Sequence, residues 1–161
     1  MTLAELNVLP RYRAEEEFLK CCGSPGWARA MARRRPFASF ERLLQAADEI
    51  WWRLDSSDWL EAFRAHPQIG ERKPATAWSA QEQAGMNRAA SAVATAMEEA
   101  NHEYFEKFGF IFIICATGKS AAEMLASVRS RLGNAPDDEV RVAAEEQNKI
   151  THLRLRKLIT P

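Results

Sequence analysis

Phe40-Glu41-Arg42-Leu43-Leu44-Gln45-Ala46-Ala47-Asp48-Glu49-Ile50-Trp51-Trp52-Arg53-Leu54 carries apolar side chains at 40, 43, 44, 47, 50, 51 and 54. Steps of three and four trace one stripe of a 3.6-residue repeat, and they predict a helix over this stretch. Toward the N-terminus, a helix over Trp27–Arg34 is stopped by Pro36, and one over Glu15–Cys22 is stopped by Gly23-Ser24-Pro25-Gly26. Toward the C-terminus, Ser56-Ser57-Asp58 supplies caps for a helix from about Asp58 to Ala65. His66-Pro67 interrupts it, because proline disfavours a helical residue before it and lacks a donor.

The segment Gln68–Trp78 holds Gly70, charges and Pro74 and reads as a loop, where binding and catalytic residues concentrate. Ser79 is expected to start the longest helix, ending near Lys107, with Met86, Ala90, Val93, Met97, Ala100 and Tyr104 on one face. Phe108–Ala116 fits either a buried strand or a buried helical segment, since a short apolar run has no diagnostic period. Helices over Ser120–Leu132 and Pro136–Leu158 complete the chain. The second opens with Pro136 and three acidic residues, Asp137, Asp138 and Glu139, at its positive end. Almost nothing alternates with period two, so the expected fold is all-α: a single-domain bundle of six to eight helices over residues 1–161.

Composition fits that fold. The chain has 161 residues, 47% of them hydrophobic and 27% charged, which is ordinary for a globular domain. Lys+Arg and Asp+Glu are 22 each, a balance that argues against a nucleic-acid binder driven by bulk charge. Cys21, Cys22 and Cys115 are odd in number and two are adjacent, a poor basis for disulfides and a fit to a reducing compartment. The N-terminal residues show no signal-peptide pattern, and the longest strongly apolar run is too short to span a bilayer. A cytoplasmic protein without a membrane segment is expected. His66, His102 and His152 are far apart, with no local zinc spacing, so no metal is expected.

Four features are able to carry chemistry, and each has a plainer reading. His66 ends a helix at the mouth of the polar loop; it is either a cap on the last carbonyls or a proton carrier. Ser79-x-x-Glu82 has the spacing of a capping box, and a helix start also suits a polar ligand oxygen. Ser120-x-x-Glu123 has the same spacing, so the pattern is unspecific. Arg154 continues the series Val140, Ala143, Gln147, Ile150 on the last helix. It either buries its stem with its head in water or aims a guanidinium into a pocket. Phe108–Cys115 reads chiefly as core; Gly109 invites a close approach to the backbone, and the apolar flanks of Cys115 argue against a nucleophile. The run Arg33-Arg34-Arg35 reads as solvated surface.

Taken in order, these pieces resemble a known family. Phe18-Leu19, Trp27, Arg35-Pro36-Phe37, His66-Pro67-x-Ile69-Gly70, Ser79-x-x-Glu82-Gln83, Asn101-x-x-Tyr104, Phe108-Gly109-Phe110, Arg131-Leu132 and Lys149-Ile150-x-x-Leu153-Arg154-Leu155 span nearly the whole chain. The sequence is similar to 2-oxo-4-hydroxy-4-carboxy-5-ureidoimidazoline (OHCU) decarboxylases of urate breakdown. The resemblance implies an all-helical enzyme that turns OHCU into (S)-allantoin and carbon dioxide without a metal or organic cofactor. It implies His66 as the catalytic histidine, Glu82 as its assistant and Arg154 as a substrate ligand. It implies further substrate contacts from Pro67, Ser79 and Gln83, and from the backbone of Phe112, Ile113, Ile114, Cys115 and Ala116. It leans toward a homodimer. Three departures stand out: Ile111 where the family pattern has proline, Gln68 where aspartate is common, and a shorter loop from Gly70 to Trp78. None removes a proposed catalytic side chain.

Two other functions are compatible with the residues alone. A helical interaction module predicts no turnover. A ureide amidohydrolase commonly needs a cluster of metal ligands, for which the local spacings give no support.

Overall fold

The computed structural model describes the backbone of residues 1–67 and 77–161 and the side chains of residues 1–67 and 90–161. Eight helices are present among the described residues, and no strand: α1 Leu3–Val8, α2 Arg11–Cys21, α3 Pro25–Arg34, α4 Phe40–Arg53, α5 Ser56–Arg64, α6 Ala77–Phe108, α7 Ala121–Arg131 and α8 Pro136–Leu158. The all-α expectation holds. The chain forms two compact units, Met1–His66 with Val140–Pro161, and Pro67–Glu139. No helix among the described residues is long and apolar enough to cross a membrane.

The first unit is built around tryptophans. In α4, Leu43, Ala46, Ala47, Ile50 and Trp51 are buried, which follows the expected stripe with Ala46 added; Phe40, Leu44 and Leu54 are half-buried. Trp27 and Trp51 are almost fully buried, and each spends its single donor on a main-chain oxygen. Trp27 Nε1 donates to Ala47 O at 3.3 Å and Trp51 Nε1 to Ala144 O at 3.0 Å. Phe18 meets Trp27 edge-on at 5.8 Å between ring centroids. Ser24 and Ser39 cap α3 and α4 through their hydroxyls. Helix α5 starts at Ser56, two residues before the expected Asp58, with Asp55 as its N-cap. Arg35 departs from the surface reading: its guanidinium donates to Leu6 O, Leu9 O and Ala32 O and so closes the exposed carbonyls of α1 and α3.

In the second unit, α6 begins at Ala77, so Ser79 lies in its first turn rather than at its N-cap. Ala77 and Trp78 carry no turn signal, which is why the start reads late from sequence. Met97, Ala100 and Tyr104 are buried as the stripe predicts, Val93 is half-buried and Ala90 is exposed; Met86 lies outside the described side chains. The Ser120–Glu123 pair does form a capping box, at the start of α7.

Phe108–Ala116 is neither strand nor continued helix. Phe108 ends α6, Gly109 takes a left-handed φ of +79°, and residues 111–116 run as irregular chain. Among the described residues, no atom lies within 4 Å of where a Cβ on Gly109 would sit, so there the glycine serves backbone conformation and not a close approach. Phe112, Ile113 and Ile114 are buried, Cys115 is half-buried and Ala116 is exposed.

Candidate active site

His66 follows the last turn of α5. Its main-chain N–H takes the capping role, donating to Phe63 O at 3.2 Å. The ring therefore does not cap the helix. Instead its Nε2 lies 2.5 Å from Oε1 of Gln147, 81 positions away on α8. Gln147 is fully buried. Its amide Nε2 donates to Thr151 Oγ1 at 3.1 Å, and the Thr151 hydroxyl donates back to Gln147 O at 3.0 Å. Among the described residues, Nδ1 of His66 has no hydrogen-bond partner.

The pKa of His66 is lowered from 6.5. Burial of the ring is the main cause, the Gln147 hydrogen bond opposes it, and the positive charge of Arg154 adds to it. The imidazole is therefore neutral near pH 7. The same Arg154 charge acts on Cys21 and Cys22, but burial dominates there and pushes the two thiols up to about 12 and about 11. Neither is an available thiolate near neutral pH.

Arg154 is half-buried. The buried face of α8 runs through Ala143, Ala144, Gln147, Thr151 and Leu155, while Val140 and Ile150 are half-buried. Arg154 thus borders that face, one position before the buried Leu155, and does not lie within it as the expected stripe has it. No described residue forms an ion pair with it. A guanidinium on a half-buried residue, with no described ion-pair partner, is suited to bind a carboxylate or a ring carbonyl.

In the second unit a buried ion pair organises the irregular apolar segment. Arg131 donates through Nε to Glu139 Oε1 at 2.6 Å and through Nη1 to Ile113 O at 2.7 Å. Its guanidinium lies 4.5 Å from the Phe112 ring centroid. Tyr104 donates its hydroxyl to Glu139 Oε1 at 2.6 Å, and Asn134 Nδ2 donates to Glu139 Oε2 at 2.8 Å. Sequence reading set out Tyr104, Arg131 and Glu139 as motif or helix-start residues and missed their joint role. Gln147 appeared only as one position in a helical stripe.

Among the sequence-predicted residues, His66 and Arg154 share one electrostatic environment in the first unit. Pro67 is exposed next to His66 in the chain, and Phe112, Ile113, Ile114, Cys115 and Ala116 lie on the irregular segment of the second unit. Ser79, Glu82 and Gln83 belong to the N-terminal part of α6, and their side chains lie outside the described residues. Among the described residues, no group of three or more His, Cys, Asp or Glu side chains gathers to hold a metal ion.

Comparison with known proteins identifies the family. The chain is 42% identical over 154 residues to the uric acid degradation bifunctional protein TTL of Arabidopsis thaliana, covering 91% of this chain and 47% of that one. It thus spans about half the length of that relative. It is 31% identical to the 2-oxo-4-hydroxy-4-carboxy-5-ureidoimidazoline decarboxylase of Halalkalicoccus jeotgali, covering 100% of this chain and 93% of the relative. A crystal structure of OHCU decarboxylase in the presence of (S)-allantoin superposes with a TM-score of 0.76 at 41% identity, covering 91% of this chain and 99% of that one. The family model described as OHCU decarboxylase matches residues 7–156. That match reaches into both structural units and takes in every candidate site residue from His66 to Arg154, and on this ground the chain belongs to the OHCU decarboxylase family.

Proposed function

We propose that this carboxy-lyase converts OHCU into (S)-allantoin and carbon dioxide in urate degradation, with His66 as the proton carrier. The substrate bears a hydroxyl and a carboxylate on one ring carbon and the ureido group on the next. Loss of carbon dioxide breaks the bond from the ring to the carboxyl carbon, and the electron pair flows toward the ring C=N. A solvent proton on the ring nitrogen replaces the one the carboxylic acid had given up. The hydroxyl proton must then leave as the product carbonyl forms, and a proton must reach the ureido-bearing carbon on one face. One neutral base that takes the first proton and returns the second meets both needs. The substrate is its own electron sink, so the chemistry asks for no redox partner.

The observation that carries this reading is the setting of His66: anchored at Nε2 by Gln147, with no described partner at Nδ1, in a buried position that pushes its pKa below 6.5. Positioned proton transfer of this kind is worth roughly a hundred- to ten-thousand-fold in rate. In the same reading Glu82 orients His66 or tunes its charge. Arg154 holds the substrate carboxylate or a ring carbonyl. Pro67, Ser79 and Gln83 line the ligand site, and the backbone of Phe112–Ala116 contributes hydrogen bonds to the ring. Residues 1–161 act as a single OHCU decarboxylase-like domain, supported by a family match that crosses both units. A homodimer and a cytoplasmic site of action go with the family likeness. The balanced charge favours a small-molecule substrate over nucleic acid.

Circular dichroism of the product tests the proposal. Freshly generated OHCU decays with the protein present or absent. The expected result is (S)-allantoin in the first case and a racemate in the second. Racemic product at an unaltered rate in both samples would overturn it.

A further inference from the structure

The hydrogen bonds around His66 determine more than its position. Gln147 Oε1 and Nε2 are interchangeable in shape, and their order is set by their partners. The Thr151 hydroxyl has one hydrogen, and it goes to the main-chain oxygen of Gln147 one turn back on α8. Toward the Gln147 side chain, Thr151 Oγ1 can therefore only accept, so the group facing it is the amide nitrogen. Cys22 also bonds with the Thr151 side chain, and a hydroxyl hydrogen turned toward that sulfur is equally withheld from the Gln147 amide. The carbonyl end of the Gln147 amide is left for His66, and it has no hydrogen to give. His66 Nε2 must supply one.

We infer that Gln147 is a positioning residue that fixes neutral His66 in the Nε2–H tautomer and leaves Nδ1 as the only basic atom of the ring. The inference rests on the reading of His66 as the proton carrier. Because Gln147 is fully buried and anchored through Thr151, it holds one orientation and sets the plane of the imidazole as well as its tautomer. The opposite tautomer would turn the Nδ1 lone pair into a donor. It would also set the Nε2 lone pair against the Gln147 oxygen, with no proton between them. Thr151 takes no direct part in the reaction; it keeps the amide from flipping.

Long-range proton–nitrogen NMR on uniformly 15N-labelled protein reads the tautomer directly. The His66 signals are assigned by their loss in His66→Asn. Above the titration of the ring, a protonated Nε2 and an unprotonated Nδ1 are expected in the parent; the reverse pattern overturns the inference without any Gln147 variant having to fold. Gln147→Leu is expected to mix the two tautomers and to lower kcat by about tenfold or more with KM little changed. Gln147→Glu keeps the acceptor and is expected to keep the Nε2–H signature. A folded Gln147→Leu protein with parental ring shifts and parental kcat also overturns it. If His66 is not the proton carrier at all, His66→Asn stays active while the parent spectrum still reports the tautomer, so the two failures are distinguishable.

Discussion

The guanidinium of Arg131 donates to the main-chain oxygen of Ile113 at 2.7 Å while its Nε donates to Glu139 Oε1 at 2.6 Å. Glu139 is fully buried and Arg131 nearly so. An irregular apolar segment has no ladder to satisfy its carbonyls, and this arginine satisfies one of them. Removing one partner leaves an uncompensated buried charge, which typically costs about 3–5 kcal/mol. Arg131→Met and Glu139→Gln are each expected to lose stability on that scale in urea unfolding. A loss below about 1 kcal/mol, the level of an exposed pair, would show that the pair does not organise the segment.

The lowered pKa of His66 fixes the sign of two pH effects. In the proposed mechanism the neutral ring is the working form, so kcat/KM is expected to rise with pH along a limb whose apparent pKa lies below 6.5 and then to level off. Stability follows the same direction. Between the folded pKa and the ordinary 6.5, the unfolded chain binds the more protons, so stability rises with pH across that window and is lost as pH falls through it. A pH–rate profile whose rising limb sits above 6.5, or falls where this one rises, would contradict the neutral-base assignment.

Arg154 is half-buried and has no described ion-pair partner. Arg154→Ala is expected to raise KM by about tenfold or more, the range of a lost charge-assisted hydrogen bond. Arg154→Lys is expected to recover part of that, since the charge returns without the planar fork. An unchanged KM in Arg154→Ala would remove the residue from the binding site.

Glu82 is proposed to act through His66. Glu82→Gln keeps the size and removes the charge, and kcat is expected to fall by about tenfold or more with the fold intact by far-ultraviolet circular dichroism. Parental turnover in that variant would end its proposed role.

Much of the fold was legible from hydrophobic spacing and punctuation. The Pro136–Leu158 boundaries of α8 match, because Pro136 opens it and the acidic first turn marks its positive end. Helix α1 was not anticipated. Its six residues are too few to show a period, and it depends on the Thr2–Glu5 capping box and the burial of Leu6. The Phe108–Ala116 segment was undecidable, because the hydrogen bond to Ile113 O comes from Arg131, 18 positions on. His66 and Arg154 emerged from motif order. Gln147 did not, since a buried amide in an apolar stripe gains meaning only from a ring 81 positions away.

The most direct test is the rate of His66→Asn. Asparagine keeps a polar side chain of similar reach but has no basic nitrogen at neutral pH. With freshly generated OHCU at saturation, carbon dioxide release above the spontaneous rate is expected to fall by roughly a hundred-fold or more. The allantoin formed should lose its optical activity. Release within a few-fold of the parent, with (S)-allantoin still the product, would contradict the assignment of His66 as the proton carrier.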